Sequence, residues 1–343
     1  ATLATEHTFR AIPETDYVIT GEGEEALCRL VLDEDSHATI PGVYHRGGDS
    51  RILGTPKQTP DIHALPHPAV ALFDHGNLEE RNPLRPILTS RGCPWGCYNC
   101  QPNLDIMQPY RLRRVNSVID EIKHRQRAYG QTYFGFIDAE LPVKKSWFED
   151  FYSEIQGRKI DFAFHCNGRS DLLDGDLLKM IKDMNVSRLA IGVESGVQRV
   201  IDDVLLKGID LEQTYEIFKE ATGIGIRTHG HFMIGIPGET LDDMRATLEF
   251  AKNLPSTSIE FNMLTPWPGT DFYEICEKNN FIAVQDLSEF NEKKMATIST
   301  CDFTNEQVHG FYGEIRETLT SVGWRNSDDG SVYYRPEYRG VIF

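Results

Sequence analysis

The stretch Arg91-Gly92-Cys93-Pro94-Trp95-Gly96-Cys97-Tyr98-Asn99-Cys100 decides how the rest of the chain is read. Its three thiols are separated by three and then two residues, so they can converge on one metal centre from a single short loop. Gly92 and Gly96 let the loop bend, since a residue without a side chain tolerates positive φ. Pro94 fixes a further dihedral. Iron–sulfur clusters are ordinarily held by four thiolates. A local set of three leaves one iron open to a ligand that is not protein. Such an open position separates a reactive metal site from a structural one, a contrast best documented for zinc.

The remaining cysteines, Cys28, Cys166, Cys276 and Cys301, are isolated in the sequence and form no Cys-x2-Cys pair. A structural zinc site takes four ligands, usually as two such pairs, and here would need a distant His or Cys to complete it. Seven cysteines in 343 residues are far too few for a disulfide scaffold. The odd count, with no signal-peptide pattern, points to a reducing, cytoplasmic compartment. Hydrophobic residues at 40% and charged residues at 25% describe a soluble globular protein. No apolar run approaches the roughly 20 residues that span a bilayer. The net charge of −17 repels polyanions. Arg111-Leu112-Arg113-Arg114 is too short a basic run to reverse that field, so nucleic acid is not an expected partner.

From about residue 85 short apolar runs alternate with helical patterns, which predicts βα repeats around a parallel sheet. Strands are expected at 86–90, 133–137, 162–166, 189–193, 228–234 and 258–264. Helices are expected through Val115, Val118, Ile119 and Ile122, closed by Gly130, and then at 147–155, 177–184, 198–206, 211–222 and 241–254. Thr240, three residues before Asp243, reads as the N-cap of the last of these. Six βα units make three-quarters of an eight-unit barrel, and ligands of such folds sit at the C-terminal strand ends. A further helix is expected at 306–319, followed by the aromatic tail Tyr333-Tyr334-Arg335-Pro336-Glu337-Tyr338.

The Cys-x3-Cys-x2-Cys loop resembles the cluster loop of the radical S-adenosylmethionine (radical SAM) superfamily. The resemblance implies a [4Fe–4S] cluster on Cys93, Cys97 and Cys100. Its fourth iron would be chelated by the amino and carboxylate groups of S-adenosylmethionine, whose one-electron reduction yields a 5′-deoxyadenosyl radical. It also implies the partial (β/α)6 TIM-like barrel that the pattern already predicts. The superfamily commonly places an aromatic just before the last cysteine; here that position is Asn99 and the aromatic is Tyr98, and both are carried forward as cofactor contacts.

Further contacts follow from the same resemblance. Asp138 and Glu140, after the second strand, are placed to accept hydrogen bonds from the methionyl ammonium. Arg169, after the third, is placed to hold its carboxylate through two parallel bonds. Gly192-Val193-Glu194-Ser195-Gly196 resembles the segment beside the ribose and methionyl groups, with Glu194 either a contact or a paired structural charge. The segment 231–240, containing Ile234 and Gly235, resembles the adenine-flanking fifth strand, and Glu239 is expected to order the helix that follows. Pro266 lies in a Thr-Pro-x-Pro-Gly-Thr turn that resembles the far wall of the pocket. His229 and His231 share one strand face, and are either hydrogen-bonded core residues or substrate and proton-transfer groups.

Tyr17-Val18-Ile19-Thr20, then Gly21-Glu22-Gly23-Glu24-Glu25 and an amphipathic run to Leu32, resembles the last βα unit of the cobalamin-binding domain that precedes the barrel in one subgroup. That subgroup includes anaerobic magnesium-protoporphyrin monomethyl ester cyclase and radical C-methyltransferases. The expected division is a remnant of that α/β domain at 1–50, a linker at 51–82, the barrel at 83–280 and a substrate-side extension at 281–343. The chain does not begin with methionine, and a fragment of a longer protein is the favoured reading. Asp61-Ile62-His63-Ala64-Leu65-Pro66 matches only the first half of the Asp-x-His-x-x-Gly cobalt-ligand motif. Cobalamin is therefore expected only where a missing segment or a partner chain supplies the rest.

The resemblance thus implies an oxygen-sensitive enzyme that methylates, cyclises or rearranges a small organic substrate, with a one-electron reductant such as ferredoxin or flavodoxin as partner. Two alternatives stand beside it. A methylthiotransferase acting on RNA would bring three more cluster cysteines upstream and a basic module downstream. A non-enzymatic metal or electron-transfer protein would bring four cysteines per cluster.

Overall fold

The computed structural model describes residues 2–32, 37–48, 51–56, 59–72, 85–98, 100, 109–327 and 330–338. Helix α1 (Thr2–Ala11) precedes β1 (Tyr17–Ile19), α2 (Glu24–Leu32), β2 (Val43–Arg46) and β3 (Ile52–Gly54). The strand and helix expected here are present, but β1–β2 and β2–β3 pair antiparallel. Successive strands of a doubly wound domain run parallel instead. The small sheet also continues past residue 50, into the segment expected as linker. It buries its own cluster of Ala26, Ile40 and Val43, separate from the main core. Asp61 accepts from the His63 N–H at 2.9 Å, so the Asp-x-His segment forms an Asx turn with His63 exposed.

The main sheet begins with β4 (Arg85–Ile87). A two-stranded ribbon, β5 (Ser90–Arg91) and β6 (Arg111–Leu112), then brackets the cysteine loop. Alternation follows: α3 (Val115–Tyr129), β7 (Tyr133–Phe136), α4 (Lys145–Gly157), β8 (Ala163–Gly168), α5 (Gly175–Asp183), β9 (Val186–Glu194), α6 (Leu211–Gly223), β10 (Thr228–Ile234), α7 (Leu241–Asn253) and β11 (Ser258–Met263). Strands β4, β7, β8, β9, β10 and β11 lie side by side in chain order and all pair parallel. This is the six-stranded partial barrel the sequence pattern predicts. Gly130 closes α3 at φ 64, a left-handed position that disfavours a side chain. Thr240 and Asp243 form the reciprocal capping box that starts α7.

One predicted helix differs. Residues 198–204 are helical, but after a first α-helical bond from the Ile201 N–H to the Val197 carbonyl they widen into a π-helix, Val200–Val204, in which the Leu205 N–H reaches the Val200 carbonyl. The wider turn ends at Lys207, whose N–H bonds the Ile201 carbonyl and whose side chain is almost fully buried.

Period-two alternation sorts each barrel strand into two faces. Phe134, Phe136, Phe164, Leu189, Ile191, Val193, Phe232, Ile234, Ile259 and Phe261 belong to the continuous apolar core beneath the helices. The opposite face carries His165, Asn167, Gly192, Glu194, His229, His231, Glu260 and Asn262, so the lumen is polar. Beyond β11 come α8 (Asp271–Lys278), α9 (Asn305–Ser321), β12 (Arg325–Asn326) and β13 (Val332–Tyr334). β13 pairs antiparallel with β11, so the aromatic tail extends the sheet edge, with Tyr333 in the core. Beyond Glu260, where the pairing with β13 stops, the Glu292 carbonyl takes the Met263 N–H at 2.7 Å, and Lys293 Nζ stands 3.5 Å from Glu260 Oε2.

Candidate active site

The cysteine loop is mounted from several directions. Gly92 adopts φ 81, the left-handed bend that its residue type permits, whereas Gly96 does not use that region. Asp138, at the end of β7, accepts from the N–H groups and hydroxyls of Thr89 and Ser90, at distances of 2.5 to 3.1 Å. Glu22, in the turn before α2, pairs with both Arg91 and Arg111, while Glu24 pairs with Arg91. The Gly-Glu-Gly-Glu stretch therefore grips both strands of the ribbon that bears the loop. The Tyr98 N–H donates to the Leu205 carbonyl at 3.0 Å, and the Cys100 N–H to the Cys97 carbonyl at 3.1 Å. Asn99 lies outside the described residues.

Charges converge beside this loop from the C-terminal ends of successive strands. Arg169, after β8, is buried with its guanidinium 4.6 Å from the Trp95 ring centre, and its Nη1 stands 3.7 Å from Cys97 Sγ. The two parallel bonds expected for a ligand carboxylate are made to Asp171 instead, at 2.9 and 3.1 Å. Glu194, at φ 69 on the end of β9, accepts from Lys207 Nζ at 2.7 Å. The pair folds over Gly192, where an added Cβ would stand 2.5 Å from Glu194 Oε1 and 2.6 Å from Lys207 Nζ.

Glu140 follows β7, and its Oε2 is buried with no hydrogen-bond partner among the described residues. Burial raises the Glu140 pKa to about 7, against the opposing pull of Lys207 and Arg169. Burial also disfavours charge on Lys207, but Glu194 and Glu140 outweigh it and keep the ammonium protonated.

Other expected positions are internal. Ser195 is fully buried and bonds the Thr247 hydroxyl at 3.1 Å, tying β9 to α7. The Ile234 side chain lies in the core, and its carbonyl takes the Leu264 N–H. Gly235 adopts φ 75, with Val308 3.0 Å from where a Cβ would be. Pro266 is buried in its turn, whose Thr270 caps α8. Glu239 orders the turn rather than the helix: it accepts from the Ile236 N–H at 3.1 Å, and Thr240 supplies the helix cap. Lys207 escaped the sequence reading, because a lone lysine after an apolar helical stretch looks like an ordinary C-terminal helix cation.

The radical SAM superfamily model matches residues 87–251, the span from β4 through α7. The chain carries a radical SAM domain. It is 28% identical over 316 residues to an uncharacterized methyltransferase of Pyrococcus horikoshii, covering 90% of this chain and 68% of that one. It is 24% identical to the anaerobic magnesium-protoporphyrin IX monomethyl ester cyclase of Rubrivivax gelatinosus, covering 82% of this chain and 52% of the relative. Among solved structures, the methyltransferase TsrM of Kitasatospora setae, with cobalamin and a [4Fe–4S] cluster bound, superposes with a TM-score of 0.67 at 20% identity. That match covers 98% of this chain and 65% of TsrM. The chain thus spans only about half to two-thirds of the length of these relatives. No helix among the described residues is long and apolar enough to cross a membrane.

A radical SAM domain implies a [4Fe–4S] cluster and S-adenosylmethionine, and the donors fit. A single zinc ion draws its ligand atoms to within about 4 Å of each other. Among the described residues the only grouping of three His, Cys, Asp or Glu ligand atoms within 4.8 Å of one another is His229, His231 and Glu260, not the cysteine loop. Three thiols on one short loop suit a cluster, which takes each thiolate on a different iron. In the bare chain burial pushes the Cys100 thiol up to about 12 and raises Cys93 as well, so deprotonation needs the positive charge of a metal.

Glu140 offers a test by pH. Its folded pKa of about 7 lies above the ordinary 4.5, so the folded chain holds an extra proton between those values. Stability relative to the unfolded chain therefore falls as pH rises through that window, and the full penalty is present above it. Glu140→Gln is expected to stabilise the cofactor-free chain by about 2 kcal/mol at pH ~8 and by little near pH ~4.5. Urea unfolding at both pH values measures this. An equal gain at the two would remove ionisation as the cause.

Proposed function

We propose that this chain is the barrel portion of a cobalamin-associated radical SAM enzyme that transfers a methyl group to, or closes a ring on, a small organic substrate. The observation that carries the reading is the buried Glu140 oxygen, which has no hydrogen-bond partner among the described residues and lies close enough to Cys93, Lys207 and Arg169 to feel their charges. Such a carboxylate is suited to the methionyl ammonium of S-adenosylmethionine. A [4Fe–4S] cluster on Cys93, Cys97 and Cys100 supplies, when bound, the electron that cleaves the sulfonium into methionine and a 5′-deoxyadenosyl radical.

Each surrounding residue then has a task. Arg169 places positive charge against Cys97 and stacks on Trp95, while Asp138 fixes the root of the loop through Thr89 and Ser90. Lys207 neutralises Glu194 and balances Glu140, which keeps two carboxylates tolerable in one buried place. Tyr98 and Asn99, which precede the last cysteine in the sequence, are the candidate contacts to the adenine. The polar lumen beneath binds and orients the substrate, and the core around it excludes water.

The cyclase and methyltransferase relatives, together with the likeness to TsrM, support cobalamin as third cofactor, bound by a domain ahead of this span or by a partner chain. A reductant such as ferredoxin or flavodoxin would deliver the electron. Incubating the anaerobically reconstituted chain with S-adenosylmethionine and dithionite is expected to yield 5′-deoxyadenosine, read by mass spectrometry. A bound centre containing zinc and no sulfide would overturn the reading.

A further inference from the structure

We infer that the barrel lumen holds a second metal site, in which His229, His231 and Glu260 bind one divalent cation of the zinc or ferrous class and leave an open position toward the substrate. These side chains project from the lumen faces of β10 and β11, where His231 and Glu260 stand directly opposite in the parallel register. Their ligand atoms all lie within 4.8 Å of one another. His231 Nδ1 is 2.8 Å from Glu260 Oε1, and His229 Nε2 is 3.8 Å from Glu260 Oε2. Donors around a single zinc at ~2.0–2.2 Å stand about 3.3 Å apart, so modest side-chain rotation suffices.

Two histidines and one carboxylate are the donor set of open ferrous and zinc sites that bind a further ligand. The supporting contacts are also those of a metal site. His229 Nδ1 faces the Ser258 hydroxyl at 2.8 Å, which fixes the ring and directs Nε2 at Glu260. Asn262, two residues along β11 on the same face, donates to Glu260 Oε1 at 3.3 Å. Its amide oxygen is buried without a hydrogen-bond partner among the described residues, and is available as a fourth, neutral donor.

The side chain of His231 is 35% exposed while those of His229 and Glu260 are largely covered, so the site is reached from the His231 side. His231 also pairs in register with Gly192, over which the Glu194–Lys207 pair folds. The site is thus one strand spacing from the proposed S-adenosylmethionine pocket, where an oxygen or nitrogen donor of the substrate could be bound as a metal ligand. The cation that now balances Glu260 is Lys293, whose Nζ stands 3.5 Å from Oε2 on a flexible, partly exposed stem. A metal must displace it.

The test uses the tag-free full chain with its iron–sulfur cluster in place, equilibrated with zinc sulfate and desalted. Zinc content and X-ray absorption at the zinc edge are then read. One zinc per chain is expected, with a shell of nitrogen and oxygen only and the multiple-scattering signature of imidazole. Glu260→Gln and His231→Ala are expected to weaken binding by at least about tenfold. Lys293→Ala removes the competing ammonium and is expected to tighten it, a gain that misfolding could not produce. Sulfur in the zinc shell would place the metal at the cysteine loop instead. That result, no bound zinc, or binding that Glu260→Gln and Lys293→Ala leave unchanged would overturn the inference, whatever becomes of the cluster reading.

Discussion

Replacing Cys97 by alanine is expected to leave a folded chain that assembles no intact [4Fe–4S] cluster and forms no 5′-deoxyadenosine above background. The contacts that hold the loop are the Asp138 bonds to Thr89 and Ser90, the Arg91 and Arg111 pairs with Glu22, and the Tyr98 N–H on Leu205. None of them uses the Cys97 side chain. Losing one small buried thiol should therefore cost no more than about 1–2 kcal/mol of stability. The chemical loss is of another order, since one iron loses its protein ligand beside the positive charge of Arg169. Circular dichroism, iron and sulfide analysis and product detection on the same sample separate the two effects. Wild-type amounts of 5′-deoxyadenosine from a folded Cys97→Ala chain would show that the loop does not carry the reactive centre.

The features legible in the sequence are those written in local spacing. The cysteine loop, the six strands and most of the helices announce themselves through contiguous motifs and periodicity, and Gly130 and Thr240 mark helix ends by residue type. Pairings between distant residues are not written that way. Nothing in Gly-Glu-Gly-Glu says that Glu22 will bind Arg91 and Arg111, 69 and 89 residues further along. Arg169 shows the same limit: its position after β8 was legible, but the neighbour that occupies its fork, Asp171, had to be seen. Asp138 likewise sits at the expected strand end, yet its lone pairs are taken up by the root of the loop. The π-helix was hidden for a related reason. Its apolar spacing fits an α-helix, and the backbone bond from the Tyr98 N–H to the Leu205 carbonyl, which ties the end of the wider turn to the cysteine loop, joins residues too far apart in the sequence to be read there.

Lys207 is the residue whose replacement tests the charge arrangement as a whole. Lys207→Met keeps most of the stem volume but leaves Glu194 without its 2.7 Å partner and Glu140 without its main counter-charge. Breaking a buried pair from one side costs about 3–5 kcal/mol, because the stranded carboxylate stays desolvated. A loss of that size is expected at neutral pH in urea unfolding of the cofactor-free chain. It should shrink as pH falls toward ~5, since the stranded carboxylates can then bind protons in the folded state. Adding Glu194→Gln to Lys207→Met is expected to restore at least about 2 kcal/mol, because the pair leaves together and only Glu140 remains uncompensated. Strictly additive losses would mean that the two side chains do not depend on each other, and that the basis for a balanced ammonium-binding pocket at Glu140 is absent.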